Sequence, residues 1–347
     1  MSDGGISRRD LVKRGGYAAA AGASLFGLAG CARREQTAST SAAGGPTTHA
    51  ATTKGVVARE DIRIEMPTHM IPPDPNTAIM QNGADAAAKD FGVRVKFRGP
   101  EQFSIPEVQR IFDAAIASRP TAIAATLPDA QALGPKIQEA VQSGIPVVLF
   151  NAGLDDYKRL GALTYIGQTE LVAGQQAGKR LAAAGVKNAI VINHQQGQLT
   201  LETRYQGVKD ALGGNVKEVA VDGSSPLQIR NGVASALQQN PNVQALMTLG
   251  PGAAEQALTA IKTAGKLGKV KLATFDISPA VLKAVAAKQI LFAIDQQMFF
   301  QTYMSVAALV TYSQWRLGPV SAVPSGPLFV DADSANTILQ LSAKGIH

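Results

Sequence analysis

From residue 61 onward the chain alternates short apolar runs with longer stretches whose apolar positions recur at helical spacing. "DIRIEM" is followed by the amphipathic "TAIMQNGADAAAKDFG", which Gly92 ends; "VRVKF" is followed by "IPEVQRIFDAAIAS"; "TAIAAT" by "AQALGPKIQEAVQSG"; then comes "IPVVLF". The second half keeps the rhythm: "NAIVIN", "TLETRYQGVKDALG", "VKEVAV", "LQIRNGVASALQQ", "VQALMTL", "AAEQALTAIKTAG", "VKLATF". The apolar runs are bounded by Gly, Pro and Asn, as parallel strands covered on both faces should be. Repeated βα units of this length predict an α/β protein with two doubly wound parallel-sheet lobes and a ligand cleft between them.

In such sheets a ligand sits beyond the carboxyl ends of the strands. The residues there are polar and varied. "PTHMIPPDPN" after the first strand holds His69 and Asp74, "RGPEQ" after the second ends on Gln102, "TLPD" begins at Thr126, and "NAG" begins at Asn151. In the second half "HQQG" begins at His194, "DIS" at Asp276, and "DGSS" and "GPG" follow their own strands. "ILFAIDQQMFFQTY" sets Gln296 between a strand and a helix, and Arg204 stands early on a second-half helix. Amide, carboxylate, imidazole and guanidinium groups converging in this way suit a ligand made mostly of hydroxyls, each of which both donates and accepts. Each residue has a plainer reading that stays open at this point. Asp276 could cap the next helix, Arg204 could be a solvated helix arginine, and the two histidines could hydrogen-bond their own loops. Asp74 could shape a proline-rich turn, and Gln102 and Thr126 are common surface residue types.

Before residue 60 the pattern changes. "SRRDLVKRGG" is basic, "YAAAAGASLFGLAG" is apolar but well short of the roughly 20 residues that span a bilayer, and Cys31 is the one cysteine in 347 residues. A basic start, a short apolar core and small residues describe an export signal. Arg8 and Arg9, with Ser7, Leu11 and Lys13, resemble a twin-arginine signal, and "LAGC" resembles a bacterial lipobox. That resemblance implies residues 1–30 as a cleaved signal and a diacylglyceryl group on Cys31. An unpaired cysteine in an exported chain calls for such an explanation, and two acyl chains give stable anchoring where one gives marginal binding. Residues 31–59 are rich in Ala, Thr, Ser and Gly without apolar periodicity. They read as a flexible tether spanning about 30 Å root-mean-square.

Charge follows this segmentation. The net charge is +7, but the first two thirty-residue segments hold +2 each, leaving +3 for residues 61–347. With no dense basic run among aromatics in the body, a nucleic-acid partner is not expected. Nor is an enzyme: the body has no cysteine nucleophile and no GxSxG elbow. "GPGAAE" places Glu255 where a dinucleotide-binding turn needs a small residue. No His or Cys spacing suggests a metal site, and no cofactor is expected.

From about residue 60 onward the chain resembles the solute-binding proteins of simple-sugar ABC transporters, which have the type I periplasmic-binding fold and include the ribose-binding proteins. "GIPVVLFNAG", "RYQGVKDAL", "KLATFDISP" and "ILFAIDQQ", in that order, carry the resemblance. It implies a three-segment hinge with crossings near residues 164, 296 and 326. The lobes would be residues 60–165 plus 297–326, and 166–296 plus 327–347. Asn151, Arg204, Asp276 and Gln296 match ligand-contacting positions. Ala152 stands where ribose binders have an arginine, Gly250 and Pro251 replace an Asn-Asp pair, and Asn76 and Thr77 stand near the usual stacking aromatics. These departures favour a small or acyclic ligand such as a tetritol, pentitol or pentose. The implied protein is an exported monomer, lipid-anchored to the outer face of the cytoplasmic membrane. It would bind a monosaccharide or small polyol and deliver it to the membrane permease of an ABC importer. Use as a sugar-sensing receptor subunit for chemotaxis or signalling is the first alternative, and a cleft enzyme acting on a polyhydroxylated substrate is a remote second.

The anchor reading is checked by Cys31→Ser. The body should stay folded while the protein leaves the membrane fraction or keeps its signal. Normal processing with full membrane retention removes the reading.

Overall fold

The computed structural model describes residues 55–72, 75–213, 215–223 and 225–347. Cys31, the signal and most of the tether lie outside these residues, as does Asp74. In the first sheet lie β1 (Arg63–Pro67), β2 (Arg94–Arg98), β3 (Ala122–Ala125), β4 (Val147–Phe150) and β5 (Thr164–Gly167), with β11 (Val323–Pro324) beside β5. In the second lie β6 (Asn188–Asn193), β7 (Asn215–Ala220), β8 (Ala245–Thr248), β9 (Lys271–Phe275) and β10 (Phe292–Asp295), with β12 (Leu328–Val330) beside β10. The orders are β11-β5-β4-β3-β1-β2 and β12-β10-β9-β8-β6-β7, the same arrangement twice. Every pairing is parallel except that of β10 with β12.

The central strands β3, β4, β8 and β10 are buried at every residue, which is why they read as unbroken apolar runs, whereas the edge strands β2 and β7 keep exposed positions. Helices cover both faces. In the first lobe these are α1 (Pro75–Phe91), α2 (Ile105–Ala117) and α3 (Ala130–Gln142), joined by α9 (Met298–Trp315). In the second they are α4 (Glu170–Ala183), α5 (Leu199–Leu212), α6 (Pro226–Gln239), α7 (Pro251–Thr263), α8 (Pro279–Ala286) and α10 (Ala335–Ser342). Ser104, Asp129, Ser225 and Ser278 cap α2, α3, α6 and α8 by accepting backbone N–H groups of the first turn. Ser278 thus does the work that Asp276 could have done. Pro251 opens α7 at a position where a missing N–H costs nothing.

The chain passes between the lobes three times: at Gln168–Thr169 from β5 into α4, at Gln296–Gln297 from β10 into α9, and at Ser325–Pro327 from β11 into β12. The first crossing lies beyond the expected boundary at residue 165, because β5 stays hydrogen-bonded to β4 as far as Phe150↔Ile166 and to β11 at Gly167. Neither β5 nor α4 stood out in the hydrophobic pattern: β5 is four residues long, and α4, "ELVAGQQAGKRLAA", has two glycines in its buried face.

Those glycines set how closely α4 meets α5. A Cβ on Gly174 would collide with the Arg204 carbonyl and lie 2.9 Å from the Gly207 Cα, and one on Gly207 would collide with the Leu171 carbonyl. The helices therefore touch backbone to backbone. Gly174→Ala should destabilise the protein by about 1–3 kcal/mol in urea denaturation, as overpacking does. Gly252→Ala, where an added Cβ meets nothing within 4 Å, should be neutral or slightly stabilising.

Candidate functional site

The fourth strand of each sheet ends on a residue in the left-handed region: Asn151 after β4 with φ 61° and Asp276 after β9 with φ 60°. Asn and Asp tolerate this conformation better than other residues with a side chain. Asn151 is held there by its N–H on the Ile166 carbonyl and by the Tyr165 hydroxyl, which donates to its carbonyl at 2.8 Å. The Asp276 N–H donates to the Ile294 carbonyl at 2.8 Å.

Their side chains meet at Gln296, on the second crossing. Asn151 Nδ2 donates to Gln296 Oε1 at 3.3 Å and to Gln301 Oε1 at 3.2 Å, and Gln296 Nε2 donates to Asp276 Oδ1 at 2.7 Å. The other Asp276 oxygen accepts from Arg204 Nη1 at 3.1 Å. Arg204, only 2% exposed, also donates from Nε and Nη2 to the two carboxylate oxygens of Glu170, at 2.6 and 3.3 Å, and from Nη1 to the Leu249 carbonyl. Its guanidinium lies over the Phe275 ring, 4.7 Å from the centroid. Burial works against this charge, but the two carboxylates outweigh it and raise the guanidinium above its ordinary pKa. Four of the expected site residues thus form one hydrogen-bonded chain from the first lobe through the hinge into the second.

His69 and Thr126 form a separate pair in the first lobe. The His69 N–H donates to Thr126 Oγ1 at 3.0 Å, and His69 Nδ1 lies 2.8 Å from the same oxygen. Thr126 is fully buried rather than a surface residue. Gln102 is exposed in the loop after β2, next to Phe103, which is 57% exposed and meets the His69 ring edge-on at 6.3 Å. In the second lobe His194 fills the space beside Gly250, where an added Cβ would lie 2.9 Å from the ring. Its Nδ1 is buried without a hydrogen-bonding partner among the described residues. Burial lowers His194's pKa; the nearby Asp276 opposes that and Arg204 adds to it.

The hydrophobic pattern did not single out Glu170, Gln168, Gln301, Ser325 or Phe103. Gln168 Nε2 donates to Glu170 Oε2 at 3.0 Å, and Gln301 Nε2 donates to the Gln296 carbonyl and to Ser325 Oγ. One signal could have found Gln168: it follows the fifth strand of its sheet as Gln296 follows the fifth of the other. The arrangement offers amides, carboxylates and neutral imidazoles for hydrogen bonding. Among the described residues no group of three or more His, Cys, Asp or Glu is placed to hold a metal.

A family model described as a periplasmic binding protein domain matches residues 70–315. The chain is 24% identical over 248 residues to a xylose/arabinose-binding protein of Sulfolobus acidocaldarius, a match covering 67% of this chain and 61% of that protein. It is 26% identical over 230 residues to a D-ribose/D-allose-binding protein of Pseudomonas aeruginosa, covering 62% of this chain and 72% of that one. Among solved structures, a carbohydrate transporter from Acidothermus cellulolyticus in complex with myo-inositol is 36% identical, with a TM-score of 0.74 over 82% of this chain and 99% of that one.

Burial lowers the His69 pKa from 6.5 to about 4. Between those values the unfolded chain binds more protons than the folded one, so stability should fall as pH drops through that window. His194 acts in the same direction. His69→Gln should therefore flatten, without abolishing, the loss of thermal stability between pH 6.5 and 4. A slope identical to wild type contradicts the assignment.

Proposed function

The chain belongs to the periplasmic binding protein domain family, and on that premise we propose that it is the extracytoplasmic solute-binding component of an ABC importer. It holds a neutral monosaccharide or small polyol between its lobes and presents it to a membrane permease. The relatives named above are two sugar-binding proteins and a carbohydrate transporter, which supports retention, not chemistry, as the task of the cleft. The observation that carries this reading is the chain Asn151–Gln296–Asp276–Arg204, which puts amide, carboxylate and guanidinium groups of both lobes in one connected array at the hinge. A ligand bridging the lobes stabilises the closed form by making contacts that the open form lacks.

The relatives' names span pentoses, ribose or allose, and myo-inositol, all neutral and rich in hydroxyls. That range supports a pentose or a cyclitol here, with Phe103 as the aromatic face available near His69. The lipobox-like "LAGC" supports anchoring through Cys31 at the outer face of the cytoplasmic membrane. No helix among the described residues is long and apolar enough to cross a membrane.

Calorimetry with D-xylose, L-arabinose, D-ribose, D-allose and myo-inositol tests the reading. At least one should bind one-to-one and be recovered unchanged by NMR. Binding of none of them, or conversion of the bound one, removes it. Asp276→Asn keeps the shape and the left-handed backbone but removes a charged acceptor. At about 1.5–3 kcal/mol for a hydrogen bond to a charged group, affinity should fall by about tenfold or more.

A further inference from the structure

Glu170 is the first residue of α4, directly beyond the first crossing, and it has no part in the strand-end pattern that points to the other site residues. Its carboxylate takes two of the three guanidinium nitrogens of Arg204, while Asp276 and the Leu249 carbonyl take the third. The Phe275 ring covers the guanidinium face. Every nitrogen of Arg204, the one buried Lys or Arg among the described residues, therefore has a protein acceptor, four of its five N–H groups are in use, and two carboxylates face one guanidinium. The cluster carries one negative charge in excess. Glu170 and Asp276 are only 16% and 14% exposed at the side chain, so water screens that charge weakly. The neighbouring His194, its pKa lowered, adds no positive charge at neutral pH. A buried arginine without Glu170 would be a ready clamp for a ligand carboxylate or phosphate.

We propose that Glu170 is a specificity-determining residue: it fixes the Arg204 guanidinium from the hinge side and gives the cleft its excess negative charge, so that the site takes neutral polyhydroxylated ligands and rejects their acidic counterparts. The proposal rests on the binding function inferred above. Glu170 also positions the array, because Gln168 Nε2 on the first crossing donates to the same Oε2 that accepts from Arg204 Nε. Movement of the first crossing is thereby transmitted to Arg204 and, through it, to Asp276.

The test compares D-glucuronate with the neutral panel (D-xylose, L-arabinose, D-ribose, D-allose and myo-inositol) by calorimetry on the wild type, Glu170→Gln and Glu170→Asp. In the wild type D-glucuronate should bind at least a hundredfold more weakly than the best neutral ligand. Glu170→Gln keeps the side-chain shape and removes the charge, and should narrow that gap tenfold or more. Glu170→Asp keeps the charge but shortens the reach and should retain the gap; if Glu170→Gln does not fold, Glu170→Ala, which also removes the charge, carries the test with the same expected narrowing. A merely structural role would weaken both ligand types together and leave the gap unchanged. A gap within twofold of wild type in folded Glu170→Gln overturns the proposal, as does a wild type that binds D-glucuronate as well as the neutral ligands. So does a gap within twofold of wild type in folded Glu170→Ala where that variant carries the test. If the wild type binds no neutral probe, it is the importer reading that fails. The charge role is then decided by D-glucuronate and inorganic sulfate alone, where a tenfold gain in Glu170→Gln supports it and no gain overturns it.

Discussion

The guanidinium of Arg204, buried between Glu170 and Asp276, is the interaction on which the rest of the site depends. A charge taken out of water carries a desolvation penalty of several kcal/mol, which is met only when geometry and hydrogen bonding are nearly complete. Here they are, because all three nitrogens have acceptors and the ring of Phe275 covers a face. That completeness has structural conditions. α4 must come close enough to α5 for Glu170 to reach Arg204, which requires Gly174 and Gly207 to meet without side chains. The Asp276 backbone must turn left-handed at the end of β9, a conformation that costs on the order of 1 kcal/mol. Helix packing, backbone strain and site electrostatics are thus parts of one arrangement.

The same array reaches all three crossings. Gln168 on the first bonds to Glu170; Gln296 on the second bonds to Asp276 and accepts from Asn151; Ser325 on the third donates to the Gln296 carbonyl and accepts from Gln301. Hinges are a few loop or element-terminal residues that absorb large backbone rotations. In this protein the joints and the candidate contacts share hydrogen bonds. Rotation of one lobe must therefore exchange partners within the array, and a ligand hydroxyl that replaces one of those partners acts on the hinge directly.

The fold was legible because buried parallel strands such as "IPVVLF" and "VQALMTL" are apolar on both faces and the rhythm occurs twice. β5 and α4 were less so, since a four-residue strand and a helix that packs through glycine leave a weak hydrophobic signature. At the site, Asn151, Asp276 and Gln296 stood out because they follow strands, a property of local sequence. Glu170 did not, because its partner lies 34 residues away and the pairing exists only once α4 and α5 touch. The burial of Thr126 was not legible for a related reason: its hydroxyl is buried by what it bonds, the His69 loop, and not by its own neighbours in sequence.

The two sheets share one strand order, so residues at matching strand ends can be compared directly. His69 and His194 follow the first strands, Asn151 and Asp276 the fourth, Gln168 and Gln296 the fifth. The pairs agree in position and differ in charge at one place only, where a neutral amide in the first lobe faces a carboxylate in the second. The amide spends its N–H groups on Gln296 and Gln301, whereas the carboxylate is balanced by Arg204. An array of this kind has a polar axis running from lobe to lobe. A ring with hydroxyls on both edges would find acceptors concentrated at the second lobe and amide groups at the first. The duplicated fold thus supplies the matched geometry, and the Asn-to-Asp difference between these matched strand ends gives the array its polarity.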